Sequence, residues 1–167
     1  AASSDRRALR LGAGQITATE ENSIELDVGR LIHDGVPVQI TSRFEIRASG
    51  QSREVNLGTV LLPNTKPVDI TADIPARFNH DGEFIVQVRP GNFTVTAEAI
   101  HDGPVSALTA QEGKSPWPKN EFWAFQSDET VRSVKLDGPM SVDPARTPLP
   151  ADWHEHATFA VSGGEPL

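Results

Sequence analysis

The chain of 167 residues contains no cysteine, which excludes disulfides and every thiolate metal centre. Basic side chains are scarce: 15 Lys and Arg stand against 23 Asp and Glu, a formal charge of -8. The deficit is spread, -3 over residues 1–100 and -5 over residues 101–167. Neither part offers the basic stripe that a phosphate backbone requires, so nucleic acid is not expected as a partner. No run of about 18 apolar residues occurs, and there is no basic amphipathic helix, so membrane insertion of this stretch is not expected. Catalytic signatures are missing as well: there is no Gly-x-Ser-x-Gly elbow and no glycine-rich phosphate loop ahead of a helix. The chain is therefore read as a non-enzyme, with a hydrolase built on dispersed carboxylates as the remotest alternative.

What is present points to β-structure. Glycine and proline, 13 of each, fall between short apolar stretches, and alternation with period two recurs along the chain. The clearest unit is Glu83–Ala99: Phe84, Val86 and Val88 alternate with polar or outward positions, Pro90-Gly91-Asn92 supplies turn chemistry, and Phe93, Val95, Ala97 and Ala99 resume the pattern. This predicts a β-hairpin with one apolar face. Further strands are expected at Ser23–Val28, Val38–Ala48, Glu54–Val60, Val68–Ile74, Glu121–Gln126, Val131–Leu136 (ending in an Asp137-Gly138 turn) and Ala157–Ser162. A helical turn capped by Asp152 is expected over Pro150–Glu155. Two loops stand out: Ser106–Asn120, where Pro116 and Pro118 flank Trp117, and the proline-rich Gly138–Trp153.

His-Asp-Gly occurs three times, at His33–Gly35, His80–Gly82 and His101–Gly103. Three imidazoles and three carboxylates are metal-ligand chemistry, but Asp-Gly is also the preferred pair of a tight turn, and the turn reading is favoured. His154 and His156 flank Glu155; on a strand both rings would face one side, yet no matching second half is visible. No metal and no cofactor are expected. All three tryptophans lie in the last third of the chain. Trp123 is expected in the core. Trp117 and Trp153, in proline-bearing loops, are the candidate ligand-binding residues, as stacking faces for a sugar or anchors for a protein.

The run from Ile74-Pro75 through Asp81-Gly82, Phe84-x-Val86-x-Val88, Pro90-Gly91 and Phe93-x-Val95-x-Ala97 resembles the strand–Pro-Gly–aromatic–strand unit of carboxypeptidase-regulatory-like, transthyretin-like sandwiches. A longer pattern comprises Arg89-Pro90-Gly91-Asn92-Phe93-Thr94-Val95, Pro116-Trp117-Pro118, Glu121-x-Trp123-x-Phe125, Val131-Arg132-x-Val134 and Val142-Asp143-Pro144-x-x-Thr147-x-Leu149-Pro150-x-x-Trp153. It is similar to a β-rich module of large, uncharacterised proteobacterial envelope proteins. That resemblance implies a periplasmic or membrane-tethered module and no catalytic residues.

The expected fold is all-β, a two-sheet antiparallel sandwich of the immunoglobulin-like or jelly-roll kind, formed by residues 1–167 as one domain. The alternative is a sandwich over residues 1–105 and a small β subdomain over 121–167. The small residues Ala1-Ala2-Ser3-Ser4 and the linker-like Gly163-Gly164-Glu165-Pro166-Leu167 suggest a fragment of a longer protein. The expected function is a non-catalytic, periplasmic or extracellular module of the cell envelope for protein interaction or domain spacing. The alternative is carbohydrate binding through Trp117 and Trp153, so the expected partner is a protein or glycan of the envelope.

Overall fold

The structure, a computed structural model, describes residues 21–105, 107–110, 116–127 and 140–162. The expected strand Val131–Leu136 and its Asp137-Gly138 turn lie outside the described residues, as do Ser106 and residues 111–115 of the expected boundary.

Alternating apolar residues make strands throughout, and among the described residues there is no α-helix. The strands are β1 (Ser23–Asp34), β2 (Gln39–Ser49), β3 (Arg53–Asn56), β4 (Thr65–Ala72), β5 (Ala76–Phe78), β6 (Phe84–Val88), β7 (Gly91–His101), β8 (Asn120–Ser127), β9 (Met140–Val142) and β10 (Ala157–Ser162). One sheet runs β9-β10-β8-β1-β2-β7-β4 and the other β3-β6-β5. Every pairing is antiparallel except β1 with β8, which is parallel. Strands from before and after residues 106–120 thus hydrogen-bond within one sheet.

Period-two patterning decides what faces inward. On the large sheet the rows Leu26–Ile46–Phe93 and Val28–Phe44–Val95 pair in register across β1, β2 and β7. All six side chains are buried. The small sheet contributes Phe84, Val86 and Val88, and both sheets share one apolar cluster. Phe44 and Phe84 meet across it with ring centroids 6.0 Å apart. Each such aliphatic or aromatic side chain contributes roughly 1.5–3 kcal/mol on burial. A second cluster on the same face of the large sheet gathers Ile32, Ile40, Leu62, Leu108, Trp123 and Val161.

The hairpin expected over Glu83–Ala99 is not formed, although its inward residues are correct. Phe84, Val86, Val88, Val95 and Ala97 are all but fully buried, and Phe93 nearly so. The strands β6 and β7 belong to different sheets. Each edge of β6 is occupied, by β3 and by β5, while β7 lies between β2 and β4. Pro90 therefore carries the chain across the core as an arch. Alternation is the same for an arch and a hairpin; only the edge partners differ.

Other expectations shift at their ends. The strand expected over Glu54–Val60 stops at Asn56, whose Oδ1 accepts the Gly58 N–H at 2.7 Å, while Gly58 takes φ +77°. Beyond it Val60 and Leu61 are buried as loop residues. Strand β5 was not foreseen. The turn expected over Pro150–Glu155 is a 3-10 turn at Ala151–Trp153 with Pro150 in the capping position, so Asp152 sits inside the first turn and does not cap it. The edge strand β4 carries Pro67 and an irregular register between Pro67 and Asp69, both of which discourage a further strand from adding there.

Candidate functional site

The two tryptophans expected to form a binding platform are not brought together. In β8, Glu121 and Trp123 point to the core face and Phe122 and Ala124 to the outer face. Trp117 lies on the core side: it is half-buried, its ring sits 6.1 Å from that of Phe44, and its Nε1 donates to Glu121 Oε2 at 3.2 Å. Trp153 lies on the outer side, 8% exposed, packed with Leu149 and Ala124 beside Leu31 and Phe122. A β-carbon at Gly29 would run into Leu149 and touch Trp153, so glycine there lets this strap lie close on the sheet. Trp123 is fully buried, as expected, and its Nε1 donates to Glu121 Oε1 at 2.9 Å.

Two of the three histidine motifs place their glycine in a turn conformation, whereas His33 and Asp34 of the first copy still belong to β1 and only Gly35 lies in the bend after it. Gly82 and Gly103 adopt φ +81° and +86°, conformations that favour glycine. Two of the three copies meet. His33–Gly35 ends β1, and His101–Gly103 ends β7, and β2 pairs with both strands, with Gln39 opposite His33 on one side and Ile100 on the other. The His101 N–H donates to Val38 O at 2.9 Å, and its Nδ1 donates to the Gly103 carbonyl at 3.0 Å. The third copy, His80–Gly82, links β5 and β6 in the small sheet. His154 and His156 are not on a strand: they follow the 3-10 turn and precede β10, and His154 Nε2 donates to Leu149 O at 3.0 Å. Among the described residues, no three of the His, Asp and Glu side chains come together as a metal cluster.

Where the two turns meet they enclose a cleft of about 420 Å³, with Gly35, Val36 and Pro37 on one side, Gly103, Pro104 and Val105 on the other, and Val38 between. That volume is within the range of about 300–1,000 Å³ of sites that hold small ligands or side chains. No lining residue titrates, so the cleft offers neither nucleophile nor acid nor base, and its chemistry is apolar contact. Val36 stands 90% exposed at its lip, although valine is among the residues most often buried. The sequence signal was the apolar–proline sequel to two of the turns, Val36-Pro37-Val38 and Pro104-Val105. The third turn is followed by Glu83 and has no such sequel.

A second feature missed in the sequence is a buried polar node. Arg30, fully buried in β1, donates to Glu121 Oε1 (2.6 Å), Ser42 Oγ (2.7 Å) and Val60 O (2.9 Å). Its signal was a charge at an inward position of an alternating strand, between Val28 and Ile32. With both charges buried and every guanidinium nitrogen engaged, the node is a structural tie and not a reactive site. No protein-family model matches the chain, and no curated protein matches it.

Proposed function

We propose that this chain is a non-catalytic module of the cell envelope, periplasmic or extracellular, that binds a protein partner through the loop-end cleft. On this reading the two sheets form a sandwich of the immunoglobulin-like or jelly-roll kind, with one parallel pair, β1 with β8, added to its antiparallel ladders. The observation that carries the proposal is the exposure of Val36 beside a cleft of proline and aliphatic side chains at the end of a rigid sheet. Loops held by a scaffold are where recognition concentrates, and such a lining receives an aliphatic side chain. A sugar would leave its hydroxyls without side-chain partners there, and the buried or half-buried indoles offer it no shared stacking face. The protein partner is therefore favoured over the glycan.

A photo-crosslinking residue placed at position 36 tests this in envelope extracts of the source cells. The expected result is one discrete protein adduct that is absent when the crosslinker sits at the exposed Gln51, beyond the far end of β2, and that is lost in a Val105→Asp background with an unchanged melting curve. Equal labelling from both positions, or none from either, would remove the proposal.

A further inference from the structure

Three segments of this protein share the tripeptide His-Asp-Gly, and the fold treats their Asp–Gly bonds differently. An Asp–Gly bond can isomerise without any catalyst. The glycine amide nitrogen gives up its proton and attacks the aspartate Cγ. A ring closes through the new N–Cγ bond, and the carboxyl oxygen leaves as water. Water then adds back to either ring carbonyl. Opening at Cγ restores aspartate. Opening at the main-chain carbonyl leaves the backbone running through Cβ and Cγ as isoaspartate, of the same mass but with one more methylene in the main chain. The step needs a mobile carboxyl and a glycine N–H that no acceptor holds.

Asp34 is 7% exposed and ends β1 in register with Ser127 of β8, so its backbone cannot swing into the attacking geometry. Asp81–Gly82 is exposed but fastened. The Gly82 N–H donates to Asn79 O at 3.0 Å, and Asn79 Oδ1 accepts from Asp81 N at 3.0 Å and Glu83 N at 2.9 Å. At Asp102–Gly103 the holding contacts fall on other atoms: Asp102 N donates to Asn64 O at 2.8 Å, and the Gly103 carbonyl accepts from His101. The reacting pair is left open. Among the described residues the Asp102 side chain, 69% exposed, has a single contact of 3.7 Å to the similarly exposed Lys66, and the Gly103 N–H has no acceptor.

We propose that Asp102–Gly103 is the isoaspartate-forming site among the three His-Asp-Gly turns, which places the covalent change on the wall of the loop-end cleft.

The test is timed incubation of the purified chain at physiological temperature and near-neutral pH, with isoaspartate located by methyltransferase labelling and peptide mapping. A parallel sample is held unfolded in urea. In urea the three tripeptides, being identical, are expected to convert at closely similar rates. In the folded chain the Asp102 peptide is expected to convert several-fold faster than the Asp81 peptide, with the Asp34 peptide slowest. Asn79→Ala, which removes the Oδ1 bonds to Asp81 N and Glu83 N but keeps the main-chain Asn79 O on the Gly82 N–H, is expected to raise the Asp81 rate only part of the way toward that of Asp102 and to leave Asp102 unchanged. Conversion of Asp81 or Asp34 as fast as Asp102 in the folded chain would overturn the assignment. So would the absence of conversion at Asp102 over a period in which the unfolded chain converts.

Discussion

Arg30 and Glu121, 91 positions apart in the chain, form an ion pair of 2.6 Å in which neither side chain is more than 2% exposed. The carboxylate ties the two apolar clusters together, because it also accepts from Trp117, packed against the first, and Trp123, a member of the second. Ser42 and Ala97, opposite Arg30 in successive strands, are the small residues that leave room for a guanidinium inside an otherwise apolar row.

Removing one half of this pair leaves the other charge buried and alone. Glu121→Ala is expected to cost about 3–5 kcal/mol, read as a lower urea midpoint. The double variant Arg30→Met/Glu121→Leu, which buries no charge, is expected to recover most of that loss. A Glu121→Ala chain as stable as the parent would show that the pair does not form.

Arg47 is the surface counterpart. It donates to Glu25 at 3.1 Å and Asp27 at 2.9 Å, and the hydrogen bond to Asp27, then that to Glu25, raises its pKa above the ordinary arginine value. These groups lie in water, so Arg47→Ala is expected to change stability by no more than about 1 kcal/mol. A loss comparable to that of Glu121→Ala would contradict the assigned geometry.

Val86→Asp places a charge where both sheets meet. Several kcal/mol are expected from the unpaired carboxylate, enough to unfold a domain whose whole stability is about 5–15 kcal/mol. Gln87→Asp, one residue on and exposed, is expected to melt close to the parent by circular dichroism. Equal effects at both positions would refute the burial pattern of β6.

Gly29→Ala is expected to cost about 1–3 kcal/mol through overpacking against Leu149, and Leu149→Ala in the same chain should return part of it. Simple additivity of the two losses in a double-mutant cycle would mean that the strap does not rest on Gly29.

Acrylamide quenching separates the indoles. Trp153 and Trp123 are expected to be shielded and Trp117 partly accessible, so Trp117→Phe should lower quenching more than Trp153→Phe does. The reverse order would place Trp153 outside the core and revive it as a surface anchor.

Alternation, legible in the sequence, determined that the chain is all-β and which side chains turn inward: Phe84, Val86, Val88, Phe93, Val95 and Ala97 are where period two puts them. It also put Arg30 on the inward face of β1, although the meaning of that position was not readable. Tertiary structure alone decided pairing. A strand's period is blind to which neighbour fills its edge, so hairpin and arch at Pro90 are one pattern in sequence and two topologies in space. The same holds for contacts between distant segments. Glu121 reaches Arg30, Trp117 and Trp153 part to opposite faces, and two His-Asp-Gly turns close on a cleft while the third does not. Each follows from the order in which strands pair, which no local run of residues encodes.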